Sequence, residues 1–192
     1  MNRVMLLEAL VDFTKNETGG LLLPVRVQKA GEEPAVRAPD VFKMRLPDSK
    51  SAYKKAPYYI HQIITASDKQ KPGEETESIV NIRTIMCAYC DDEQEGALHL
   101  LNMSERFRIP LLRKRLIGDK GQFLLEMDEG LELFVYPDDT KPYYLGEIVS
   151  TWRMPPVERE VPEAYGYHEC QDGILRVPRP HHPGSGAEWN NL

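Results

Sequence analysis

Two thiols at Cys87-Ala88-Tyr89-Cys90 are, by type and spacing, the residues of this 192-residue chain best suited to chemistry. A Cys-x-x-Cys pair can hold zinc or exchange a disulfide, and His168, Cys170, His181 and His182 could complete a zinc set. The elements around the pair decide the matter. Thr76 to Tyr89 alternates like a strand, and residues three apart on a strand point to opposite faces, whereas zinc knuckles hold their first two ligands on a turn. No second Cys-x-x-Cys and no His pair of the usual spacing follows. A redox pair needs its thiols at a helix N-terminus, and only Cys90 approaches one. Core and surface thiols are the expectation, with no metal.

The carboxylates Asp91, Asp92, Glu93 and Glu95 come next. Their spacing matches no calcium loop, and the start of a helix already accounts for them, because negative side chains oppose the positive end of the helix dipole. Ser49, Ser67, Ser104 and five histidines are present, yet no glycine-flanked serine elbow or phosphate-cradling glycine loop accompanies them. Gly118-Asp119-Lys120-Gly121 reads as a turn. No catalytic residue and no cofactor is assigned.

The positioning elements can be read from periodicity. Residues 2 to about 14 form a helix by the spacing of Leu6, Leu7, Leu10, Val11 and Phe13, and Gly19-Gly20 supplies the positive φ of its exit. Leu21 to Val27 is a first strand, Val41 to Leu46 a short one, and Pro57 to Thr65 a third in which Tyr58, Ile60, Gln62 and Ile64 share a face. Ala66 to Glu75 is an exposed loop. In the strand from Thr76 to Tyr89, Val80, Ile82, Thr84, Met86 and Ala88 make a core face, while Ile79, Asn81, Arg83, Ile85, Cys87 and Tyr89 make a mixed one. A helix from about Glu95 buries Ala97, Leu100, Leu101, Ser104, Phe107 and Leu111. It kinks or breaks at Pro110, with a short second helix to Leu116. Phe123 to Met127 and Leu131 to Tyr136 are two short strands around Asp128-Glu129-Gly130, and Pro137-Asp138-Asp139 is a turn. Pro142 to Met154 is the last strand, with Tyr144, Gly146, Ile148, Ser150 and Trp152 on one side.

The fold class is therefore α+β: a mixed or antiparallel sheet with helices packed on one face, over residues 1–155, and an extended C-terminal arm over 156–192. That arm contains five prolines and four glycines and too few branched aliphatics to fold alone. Its Tyr165, Tyr167 and Trp189 are candidate anchors to a surface.

A net charge of -6 disfavours nonspecific attraction to nucleic acid or an anionic membrane. No apolar run approaches the roughly 20 residues of a membrane span. Three cysteines form too sparse a set for a disulfide framework. The apolar run Val4 to Leu7 is cut by Glu8 with no small-residue cleavage pattern after it, so synthesis inside the cell is expected. Against the acidic total, Lys43, Arg45, Lys50, Lys54 and Lys55 fall close together. They read either as a solvated face or as a positive strip open to an acidic surface. With Asp68, Lys69 and Lys71 of the exposed loop, Lys43, Arg45, Lys54 and Lys55 are the candidate contacts with a subunit or partner. The strip and the acidic 156–172 segment have opposite signs and could meet between subunits.

The order of these elements carries a resemblance, together with Pro57-Tyr58-Tyr59-Ile60, Asp91-Asp92-Glu93-Gln94-Glu95-Gly96, Leu100-Leu101-Asn102-Met103-Ser104-Glu105-Arg106 and Pro142-Tyr143-Tyr144-Leu145-Gly146-Glu147-Ile148-Val149-Ser150-Thr151-Trp152. Residues 1 to about 156 resemble the tail-terminator, or tail-completion, proteins of tailed bacteriophages and prophages. The resemblance implies a homo-oligomer, a six-fold ring on the head-proximal end of a tail tube. Such a ring stops tube polymerisation and meets neck or connector proteins, and in contractile tails also the sheath protein. It implies a virion protein assembled in the host bacterial cytoplasm, without catalysis. It implies no membrane and no sequence-specific nucleic acid among its partners. A head-tail joining or neck adaptor protein is the alternative of the same kind. A small metal-dependent enzyme built on Cys87 and Cys90 is the alternative of another kind.

Overall fold

Asn2 opens the first helix, α1 (Arg3–Thr18), its side chain accepting a hydrogen bond from the Met5 backbone N–H at 3.1 Å. The computed structural model describes residues 2–26, 35–47, 55–71, 74–136 and 141–157. Leu6, Leu7, Leu10, Val11 and Phe13 are buried as their spacing predicts. The helix continues past residue 14, and the buried Thr14 and Thr18 satisfy their hydroxyls by each donating to the carbonyl four residues back at 2.7 Å. Gly19 ends it with φ -60, not with the positive φ predicted. The glycine is required for space instead, since a Cβ there would lie 2.9 Å from the Lys15 carbonyl oxygen.

Two short strands, β1 (Leu23–Pro24) and β2 (Val36–Arg37), pair antiparallel in a small sheet. Of the predicted strand over Leu21 to Val27, the described residues keep only this piece, and Val27 lies outside them. The main sheet has six strands in the order β3 (Asp40–Lys43), β4 (Tyr58–Lys69), β5 (Glu77–Tyr89), β8 (Tyr143–Met154), β7 (Phe123–Tyr136) and β6 (Leu116–Ile117). All pairings are antiparallel except β3 with β4, so the sheet is mixed. The α+β class stands. The C-terminal arm, with Tyr165, Tyr167 and Trp189, and the turn at 137–139 lie outside the described residues, as does Lys54.

Both helices cover one face of the sheet. Val80, Ile82, Thr84, Met86 and Ala88 of β5 are fully buried there, joined by Ile148 and Trp152 of β8 and by Tyr59 of β4. Full burial of the valine, isoleucine and methionine side chains among them contributes about 1.5–3 kcal/mol each. The second helix, α2 (Glu93–Lys114), starts two residues earlier than its pattern suggested, because the Asp92 carboxylate accepts from the N–H groups of Gln94 and Glu95 at 2.9 and 3.0 Å. It runs through Pro110 without a break. Buried Phe107 and Leu111 on either side hold the helix against the core and offset the missing hydrogen bond, a cost of about 3 kcal/mol. Its buried stripe is also rotated from the predicted one. Gly96 and Met103 face the sheet, while Ala97 and Leu101 are exposed. Gly96 sets this rotation: a Cβ there would sit 1.9 Å from the Tyr144 ring, so the helix turns its smallest residue to β8.

Two strands are longer than predicted, for one reason. β4 absorbs Ile64 as a bulge, with Ile63 facing Ile82 and Thr65 facing Asn81, and then continues through Ala66 to Lys69. The predicted 66–75 loop thus begins only after Lys69. In β7, Glu126 faces Thr151 and Leu131 faces Ser150, so residues 127–130 bulge out and the ladder resumes. Gly130, at φ 72, turns the chain back into the sheet. What reads as two strands around Asp128-Glu129-Gly130 is one interrupted strand.

Candidate functional site

The second face of the sheet, opposite the helices, divides into an apolar half and a polar half. Tyr58, Ile60, Cys87, Tyr89 and Tyr143 form a buried cluster near the β5 C-terminus. Toward the other end, the side chains form an ionic grid. Arg83 donates to Gln62 Oε1 at 2.8 Å and lies 3.6 Å from Glu147, while Arg153 lies 2.7 Å from Glu126 and 3.4 Å from Glu77. Glu126 Oε1 is buried and meets no hydrogen-bond donor along a favourable direction, so its contact with Arg153 is an ion pair alone. The Thr151 hydroxyl reaches Asn81 Oδ1 at 2.9 Å and Glu129 at 2.8 Å, and its single proton serves one of them at a time. Arg83 and Arg153 keep 41% and 49% of their side-chain surface, which leaves this half open to a partner.

The Cys pair is separated as the strand geometry predicts. Cys87 is fully buried between β4 and β8, and burial pushes its thiol up to about 12. It is a core residue, unreactive at neutral pH. Cys90 lies half-buried just past the strand. Among the described residues, no group of three His, Cys, Asp or Glu side chains gathers as metal ligands. His168, Cys170, His181 and His182 lie outside those residues. The acidic turn is occupied structurally: Asp91 accepts from the Tyr89 hydroxyl, Asp92 caps α2 and Glu93 pairs with Lys141 at 2.9 Å.

Of the basic strip, Lys43, Arg45 and Lys55 lie toward the β3 edge of the sheet, where the charge of Lys43 is paired, while Lys50 and Lys54 fall outside the described residues. Lys43 pairs with Glu8 of α1 at 3.2 Å, and Lys55 donates to the Pro47 carbonyl. Arg45 is exposed and forms no ion pair among the described residues. A cleft of about 510 Å³ between α1 and β3 is lined by both signs, Glu8, Asp12, Lys15, Lys43 and Arg45 among them. Asp68, Lys69 and Lys71 lie elsewhere, at the far end of β4. Asp68 accepts from the Ser78 hydroxyl and pairs with Arg3 of α1. The Ser78 hydrogen bond, then Arg3, hold its carboxyl below the usual range. Lys69 faces Glu77 across the ladder, and Lys71 lies 3.7 Å from Glu74.

Two features escaped the sequence reading. One is a buried polar cluster in the core: His61 Nε2 meets the Thr14 hydroxyl and Nδ1 the Thr84 hydroxyl, both at 2.9 Å. Thr14 already gives its proton to the Leu10 carbonyl, so Nε2 carries the imidazole proton and Nδ1 accepts from Thr84. Polar residues on otherwise apolar faces were its signal. The other is the outer half of β7, where Leu133, Phe134, Val135 and Tyr136 are all 37–47% exposed. An unbroken apolar run ending a strand was the signal there.

No described helix is long and apolar enough to cross a membrane. The sequence matches no protein-family model and no curated protein.

Proposed function

We propose that this chain is a structural assembly protein that caps the head-proximal end of a phage or phage-like tail tube as a ring, stopping its polymerisation and joining the tail to the neck. The resemblance over residues 1 to about 156 carries this reading. The physical chemistry supports it in two ways. Among the described residues helices cover one face of the sheet, and the other presents an ionic grid, Arg83, Glu147, Arg153 and Glu126, to a protein partner. The groups that could do chemistry are also engaged in structural work: Cys87 is buried, Asp92 caps a helix and His61 is enclosed between two threonines.

The partners are then further copies of the chain, the tube protein and a neck protein, with the sheath protein added in a contractile tail. Deleting the coding sequence from the phage or prophage and imaging the tails tests this. The expected result is tubes of uncontrolled length that attach to no head. Tails of normal length that fail only to join heads would assign the chain to the neighbouring neck ring. Normal particles would refute both.

A further inference from the structure

The main sheet ends in two edges that differ in charge and agree in level. At one edge, β6 covers only Phe123 and Leu124 of β7, and no described strand pairs with the outer side of Leu131 to Tyr136. This stretch and the bulge before it contain Asp128, Glu129 and Glu132 and no cation. At the other edge lies β3, paired with β4 on one side and with no described strand on the other. Arg45 follows it after Met44, whose φ of 58 ends the strand. Following the register across the sheet, Val41 aligns through Tyr59, Met86 and Gly146 with Val135, and Phe42 through Ile60, Ile85 and Glu147 with Phe134. The free stretches therefore sit at the same height on opposite sides. β3 runs antiparallel to β5, and β7 parallel to it, so a second copy set alongside in the same orientation presents β3 antiparallel to β7.

We propose that copies of this chain associate head to tail through these edges, the outer half of β7 in one copy pairing antiparallel with β3 of the next. Phe134 then faces Phe42 and Val135 faces Val41, apolar against apolar, and in the same register Glu132 comes opposite Met44, in sequence between Lys43 and Arg45. Such a contact is heterologous, with different patches meeting, as a cyclic assembly requires. Main-chain hydrogen bonds supply its affinity and the charges its polarity. Pairing β7 with β7 would instead bring together two strips of carboxylates. The occupant is a second copy because that copy supplies both the complementary charge and the matching strand. The inference deepens the ring reading by naming its contact, and it is tested without the tail.

The test is cross-linking of the full chain. Within one copy, Val41 and Val135 lie on strands four spacings apart, about 19 Å, too far for a disulfide. The double variant Val41→Cys/Val135→Cys, oxidised at millimolar concentration, should therefore give a ladder of three or more linked copies on a non-reducing gel. Each single variant should show only the wild-type pattern. A double variant without the ladder overturns the proposal, as does a Val135→Cys single variant that dimerises as strongly. A second pair guards against misfolding. Arg45→Glu and Glu132→Lys should each weaken self-association about tenfold or more by sedimentation, and an equimolar mixture of the two should recover it. Equal association in all samples overturns the edge contact while leaving the capping role to be judged on tube length.

Discussion

Removing His61 should flatten the acid limb of the protein's stability. The imidazole is fully buried between Thr14 of α1 and Thr84 of β5 and against the Phe107 ring of α2, so burial pulls its pKa from the ordinary 6.5 down to about 3. The sign follows from the unfolded chain, which binds the proton below about 6.5 while the folded protein does not. His61 thus contributes full stability above pH 6.5, and that contribution is lost as pH falls from 6.5 toward 3. Between pH 7 and pH 5 the loss is about 2 kcal/mol, and it changes little wherever between about 2 and 4 the folded value lies. Urea unfolding at the two pH values, compared with His61→Gln, measures it. With a slope of about 2 kcal/mol per molar, the wild-type midpoint should fall about 1 M further than the variant's. The carboxylates are common to both proteins and cancel. Equal shifts would mean that His61 is protonated in the fold, which would refute the hydrogen-bond directions assigned to it.

Replacing Asp92 with Ala removes the acceptor for two helix N–H groups and should cost about 1 kcal/mol, read as a lower urea midpoint. Phe107→Ala empties the centre of the core, where the ring meets Phe13, Tyr59 and His61. It should cost about 3–5 kcal/mol in the same assay. Iodoacetamide at pH 8 followed by peptide mass spectrometry should modify Cys90 well before Cys87, whose labelling should await unfolding by urea.

The parts of the fold that sequence shows clearly are those in which one local rule governs. The alternation in β5 and β8 is clean because one face of each is a continuous core, and Asp92 through Glu95 mark a helix start by charge alone. The missing N–H of Pro110 predicts a break, and burial of Phe107 and Leu111, a tertiary effect, overrules it. The rotation of α2 depends on contact between Gly96 and Tyr144, residues far apart in the chain. The bulges at Ile64 and 127–130 are properties of pairing, so one strand read alone cannot show them. Among the candidate contacts, Lys43 and Asp68 are legible as surface charges, but their engagement by Glu8 and Arg3 belongs to the docking of α1 on the sheet. The edges of the sheet were invisible for the same reason, since strand order is not written in any single segment.

The β7 bulge has a consequence for motion. Residues 127–130 interrupt the ladder, so the pairing of Leu131 to Tyr136 with β8 is not mechanically continuous with that of Phe123 to Glu126. The inner part is anchored by buried Phe123 and Leu125, while Leu133 through Tyr136 are exposed. β7 is one strand in outline and two in cooperativity, and amide hydrogen exchange should divide it at Gly130, fast outside and slow within.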